Sequence, residues 1–149
     1  MSRRILVSSL IGLVAFGGIT AGGLATASAA TKPTLENGSA HYVAPAGGST
    51  GSLTFTADVS DDSGIQSLKV IAWPTSSKLD PTAEELQQVD GATCRSATAE
   101  TSRCTYTLQV TQKEAGELAE GTWNISALAT AKDKDTTFLP RAAAFDVIR

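Results

Sequence analysis

Apolar and polar residues alternate along much of this chain with the period of a strand. In SLTFTADVS, residues 52–60, Leu53, Phe55, Ala57 and Val59 alternate with Ser52, Thr54, Thr56 and Asp58, so one face is apolar and the other polar. SDDSG then supplies turn residues, and IQSLKVIAW predicts a second strand that ends at Pro74. That strand is apolar at both parities, with Leu68, Val70 and Ala72 on one side and Ile65, Ile71 and Trp73 on the other. Such a strand needs cover on two faces. The cover is expected from LDPTAEELQQVDG, which carries the signs of a short helix: Asp80 as N-cap, Pro81 at the first helical position, Glu84 and Glu85 in the first turn and Gly91 past the end. Leu79, Leu86 and Val89 are its apolar residues, and they are expected to lie over Ile71 and Trp73.

The second half repeats the pattern. CTYTLQVT puts Cys104, Tyr106, Leu108 and Val110 on one face, and TQKEAGEL predicts a helical turn in which Thr111 and Glu114 have the spacing of a capping box. GTWNISALATAKD places Trp123, Ile125, Ala127 and Ala129 in step; TTFL follows the DKD turn, Pro140 interrupts, and AAFDVI closes with Ala143, Phe145 and Val147. Ahead of all these, residues 31–51 are rich in Pro, Gly, Ser and Ala, with a first strand around HYVA, and form either a flexible arm or an edge strand. About seven short strands joined by turns predict an all-β antiparallel sandwich over residues 52–149.

The first thirty residues follow a different logic. Arg3 and Arg4 precede a long apolar run that ends in ATASAATKP, the layout of a signal peptide cleaved after Ala29 or Ala30. The glycines and serines of the run and the small-residue site argue against a permanent anchor, and Ser2, Arg3 and Arg4 also resemble the start of a twin-arginine export signal. The expected address is therefore extracellular, with no membrane span after cleavage. Once Arg3 and Arg4 are removed the twelve basic residues fall to ten, against fifteen acidic ones, a net charge of −5. An acidic chain without a basic cluster is poorly suited to nucleic acid or anionic lipid. In an oxidising compartment Cys94 and Cys104, the two cysteines, are expected to form a disulfide. A ring of that size contributes about 2.5–3 kcal/mol by the chain-entropy model.

VSDDSGIQSLKV, the later LAEGTWNISALATAKDKDTTF and the final FDV together resemble the immunoglobulin-like domains of secreted bacterial proteins. Such domains pair an aspartate turn and Ser-Gly-Ile between early strands with Leu-x-x-Gly-Thr-Tyr entering a late one. Leu118, Gly121 and Thr122 match, and Trp123 stands where the tyrosine is usual. The likeness covers residues 52–147, and the chain as a whole is similar to small exported proteins of Gram-positive bacteria with no assigned activity. The resemblance implies an immunoglobulin-like sandwich and carries no catalytic residue with it. Unlike in antibody domains, Cys94 and Cys104 are local to one segment rather than spaced to bridge two sheets.

Candidate chemistry is sparse. GGSTG, residues 47–51, satisfies the GxSxG spacing of serine hydrolases, but it lies in a flexible Gly and Ser stretch followed by a strand instead of a helix, and His41 is the only histidine. No enzyme is expected. The sequons at Asn37 and Asn124 are discounted, the second because it lies mid-strand. Asp61 and Asp62 in one turn and Asp133 and Asp135 in another should share an end of the sandwich, which makes them a weak calcium candidate. Lys132 and Lys134 alternate with the second pair and could neutralise it, so plain turn structure, no metal and no cofactor are expected. The function expected is non-covalent recognition of an extracellular protein or glycan. Trp73, just before a proline and a loop, is the candidate exposed aromatic. The alternative is an inhibitor of an extracellular hydrolase, with Arg95 or Arg103 of RSATAETSR presented on the disulfide-closed loop.

Overall fold

A computed structural model describes residues 31–149; the expected signal segment, residues 1–30, lies outside them. In chain order the elements are β1 (Thr34–Val43), β2 (Gly51–Ser60), β3 (Ile65–Pro74), α1 (Ala83–Leu86), β4 (Thr93–Ser96), β5 (Thr101–Val110), α2 (Gln112–Glu117), β6 (Gly121–Ala131) and β7 (Thr136–Val147). The strands form two antiparallel sheets, ordered β1-β2-β5-β4 and β3-β6-β7. Read as strands A to G, that is the ABED and CFG arrangement of an immunoglobulin constant-type sandwich.

Alternation becomes burial most cleanly in β2, where every odd-numbered residue from Gly51 to Val59 is buried and every even one is half-buried. Leu53, Phe55, Ala57 and Val59 meet Leu68 and Val70 of β3, Ile125, Ala127 and Ala129 of β6, and Phe145 and Val147 of β7 in one core. Strand β6 is buried on both faces from Asn124 to Ala129. It lies between β3 and β7 in its sheet, and its outer face is covered as well.

The cover comes from the segment after β3, through Leu86 but not through Leu79, which is exposed. Helix α1 packs on β3 and β6, and its Leu86 is fully buried. Trp73 and Leu128 are buried outside the central core cluster, as their outward parity requires. The helix is shorter than its sequence signs suggest and starts two residues later. Thr82, not Asp80, is the N-cap, because Thr82 and Glu85 complete a reciprocal capping box that Asp80 is too far upstream to make. The predicted box at α2 forms between Thr111 and Glu114.

Three boundaries differ from the sequence pattern. First, β1 is a ten-residue edge strand paired to β2, much longer than HYVA. Its apolar rhythm is broken by a bulge between Glu36 and Ser39, with Asn37 at φ 54°. A Cβ at Gly38 would lie 2.6 Å from the carbonyl oxygen of Ala142, so only glycine lets β1 approach β7 there and close one side of the sandwich. Second, β7 runs unbroken through Pro140. It is an edge strand with an irregular register opposite Ser126, where a missing N–H costs no ladder bond. Third, RSATAETSR is not an open loop. Its ends are β4 and the start of β5, turned by the hydrogen bond from Ala97 N–H to the Thr101 carbonyl (2.9 Å).

Candidate functional site

One side of the sandwich stays open. Pairing between β4 and β5 stops at Thr93↔Thr105, so among the described residues Tyr106–Val110 of β5 has no strand on its outer edge. On the facing sheet, β3 is met at its free edge only by the approach to β4, where Val70 N–H donates to Asp90 (3.3 Å) and Ala92 N–H to Leu68 (2.8 Å). Leu108 faces inward by parity but is 48% exposed, whereas Cys104 and Val110 on the same face are buried. Between the two edges lies a cleft of about 390 Å³, lined by Leu53, Val70, Tyr106, Leu108, Trp123 and Phe145 among others.

The floor of the cleft is aromatic and fixed. Trp123 stacks on Phe145 with centroids 6.0 Å apart, and its indole N–H donates to the Ala119 carbonyl at 2.9 Å. Tyr42 also packs near Phe145, with ring centroids 6.3 Å apart. Asp90 lies at the rim. Burial, and secondarily the charge of Asp90, push the Tyr106 phenol above its usual range, so it remains a neutral hydroxyl at physiological pH. A second, more polar groove of about 780 Å³ continues from this rim past Thr93, Arg95 and Arg103 along the exposed side of β5. Chemically the cleft offers apolar surface, phenol hydroxyls and one carboxylate, a set suited to holding a ligand.

The aromatic and basic residues singled out from sequence lie elsewhere or are engaged. Trp73 is 4% exposed, because α1 covers the sheet face it stands on. Its N–H donates to Ser126 Oγ (2.9 Å), which in turn donates to the Pro140 carbonyl (2.7 Å). That burial corrects the expectation of a partner-facing Trp73. Cys94 and Cys104 are bonded as directly opposed residues of β4 and β5, with Cα atoms 4.0 Å apart. Arg95 and Arg103 also oppose each other on these strands and do not form the hairpin tip. Arg103 is held by Asp58 at 2.9 Å. Ser49 of GGSTG sits in the β1–β2 hairpin turn, and His41 pairs with Thr54 along β1.

The acidic turns do meet. One carboxylate oxygen each from Asp61, Asp62 and Asp133 lies within 4.8 Å of the others, while Asp135 falls outside this group. Its backbone N–H instead donates to Asp133 Oδ1 (3.0 Å). Gly64, at φ 89°, makes the first turn tight, and its carbonyl accepts from Lys132 N–H at 3.0 Å. Ser63 links the turns, donating to Asp61 Oδ1 at 2.6 Å and accepting from Asp133 N–H at 3.2 Å. The ion pairs among the described residues are Arg103–Asp58 and Arg149–Glu120, so neither Lys132 nor Lys134 forms an ion pair with the cluster. Lys134 Nζ donates to Gln66 Oε1.

Hydrogen bonds hold several carboxylates ionised. Asn37 and Arg103 keep Asp58 below the usual range, Ser63 does so for Asp61, and the Thr111 N–H and hydroxyl do so for Glu114. A carboxylate with a lowered folded pKa stabilises the fold fully above its unfolded pKa and loses that contribution as pH falls. Thermal melts should therefore give a flat midpoint from about pH 7 to about pH 5 and a falling one below about pH 4. The acid-side fall should be shallower in Asp58→Asn. A midpoint that rises on acidification would contradict this assignment.

A family model described as a family of unknown function, DUF5707, matches residues 35–129. The chain belongs to this family. The DUF5707 match runs from β1 through most of β6, so it takes in the open edge of β5 and the Asp61–Asp62 turn but stops before Asp133 and β7. No curated protein and no solved structure matches the chain.

Proposed function

We propose that this DUF5707 protein is an exported, non-catalytic immunoglobulin-like module that binds an extracellular protein by accepting an extended segment of it at the open edge of β5. The observation that carries this reading is Leu108: it is inward-facing and half-exposed, on a stretch of strand with no outer neighbour. A peptide laid along Tyr106–Val110 would pair with the free backbone groups of that edge. Every second side chain would enter the cleft against Tyr106, Leu108 and Trp123. An unpaired edge beside apolar surface is otherwise a liability that folds tend to cover. A glycan has less support, since Trp73 is buried and Trp123 is stacked within the cleft. The inhibitor reading also has less support, because Arg95 and Arg103 stand on paired strands.

The disulfide is compatible with an extracellular setting, as is the lack, among the described residues, of a helix long and apolar enough to cross a membrane. Together with the signal-like leader they support export.

Selection of displayed random peptides on the immobilised protein tests the proposal. Enriched peptides should be apolar or aromatic at alternate positions. Their affinity should fall at least about tenfold in Leu108→Glu, which loses apolar contact and places a charge in the cleft. Because Leu108 is 48% exposed, that variant should melt within a few degrees of the parent. Peptides that bind parent and Leu108→Glu equally well, or a selection without enrichment, would refute the edge as the binding site.

A further inference from the structure

We propose that the paired turns Ser60–Gly64 and Lys132–Asp135 form a calcium-binding site whose protein ligands are the carboxylates of Asp61, Asp62 and Asp133. Three observations converge on it.

The spacing fits a single cation. Calcium takes oxygen ligands at about 2.3–2.6 Å, so oxygens sharing one ion lie within about 5 Å of each other. Those of Asp61, Asp62 and Asp133 lie within 4.8 Å.

The second observation is an unpartnered atom. Asp61 is only 5% exposed, and its Oδ2 is occluded with no hydrogen-bond partner. Its Oδ1 is occupied, accepting from both the Ser63 N–H (2.9 Å) and the Ser63 hydroxyl (2.6 Å). Buried carboxylate oxygens are normally paired, since leaving one unpaired keeps the full desolvation cost. Oδ2 is the oxygen of Asp61 left to meet a cation.

The third is charge. No lysine or arginine among the described residues forms an ion pair with these carboxylates; the Lys132 side chain lies beside Gly64 in the same turn, and Lys134 Nζ is committed to Gln66. Ser63 already fixes one turn against the other, so little ordering remains when the ion arrives. Asp62 and Asp133 are exposed, which leaves the site open to solvent and to water ligands that complete the coordination. Magnesium, which demands near-ideal octahedral geometry and dehydrates reluctantly, suits such a site less well.

The site is independent of the cleft. It follows Ser60, whereas the part of β5 that lines the cleft, Tyr106 to Val110, pairs with Phe55 to Gly51, roughly 17–30 Å back along β2 at 3.3 Å per residue.

Calorimetric titration of the purified protein with calcium chloride, with magnesium chloride and an ionic-strength-matched sodium chloride blank, provides the test. Binding of one calcium per chain is expected, with Kd of about 0.1–1 mM, the range of extracellular modules. It should weaken at least about tenfold in Asp133→Asn and in Asp62→Asn, which alter exposed side chains and should leave the fold intact. Asp61→Asn should abolish it, and 10 mM calcium should raise the melting midpoint of the parent more than that of Asp133→Asn. No calcium heat up to about 10 mM, calcium binding that survives Asp133→Asn and Asp62→Asn, or magnesium heats equal to those of calcium would overturn the proposal.

Discussion

Replacing Leu86 by Asp is expected to lower the unfolding free energy by at least about 3 kcal/mol, read as a shift in the urea midpoint. Leu86 is fully buried, and α1 packs on β3 and β6 at the outer face of the three-stranded sheet. Aspartate there would forfeit the leucine's burial and leave a carboxylate without a partner. Leu86→Ala removes apolar contact without adding charge, so it should lose about 2–3 kcal/mol, at the mild end for buried leucines because a peripheral site can partly collapse. Trp73, buried on the same sheet, supplies an optical check: its emission should shift to the red in Leu86→Asp as water reaches that face. If both variants unfolded at the parent's midpoint, α1 would not be a structural cover.

Removing the disulfide in a Cys94→Ser, Cys104→Ser double variant is the second large effect expected, a loss of about 2–3 kcal/mol. The cross-link joins residues ten apart, so its ring is short and its hold on the unfolded chain moderate. Its place in the fold explains why that hold matters. Strand β4 is four residues long and joins its sheet only through β5, so the bond reinforces a short ladder of four residue pairs. Cys104 is itself a buried core residue, so serine there adds a polar group to the loss. Equal midpoints for the oxidised protein and the double variant would mean that the β4–β5 hairpin persists in the unfolded chain, leaving the cross-link nothing to constrain.

Much of the sandwich was legible in the chain. The alternation of SLTFTADVS maps residue for residue onto the buried and half-buried positions of β2. The two-faced pattern of IQSLKVIAW correctly demanded cover on both sides, and the segment containing Leu86 provides it. Strand β4 was illegible, since Thr93–Ser96 has no apolar rhythm and becomes a strand only because Cys94 and the β5 register hold it there. Pro140 misled for a related reason: proline breaks a strand within a sheet but not at an irregular edge.

The candidate sites divide the same way. Parity alone placed Tyr106 and Leu108 on the inner face of β5, and the turn chemistry of SDDSG and DKD placed acidic residues in two tight turns. Both are local properties, set by a side-chain period of two and by which residues tolerate a tight turn. Tertiary structure decided what those positions became. Leu108 is exposed because β4 ends at its pairing with Thr105, a consequence of strand lengths in a neighbouring element. Trp73 is buried because α1, later in the chain, folds back over it. Asp61, Asp62 and Asp133 converge, and Asp135 does not, because Ser63 bonds one turn to the other. Periodicity determines which way a side chain faces; only the packing of elements distant in sequence determines whether anything stands opposite it.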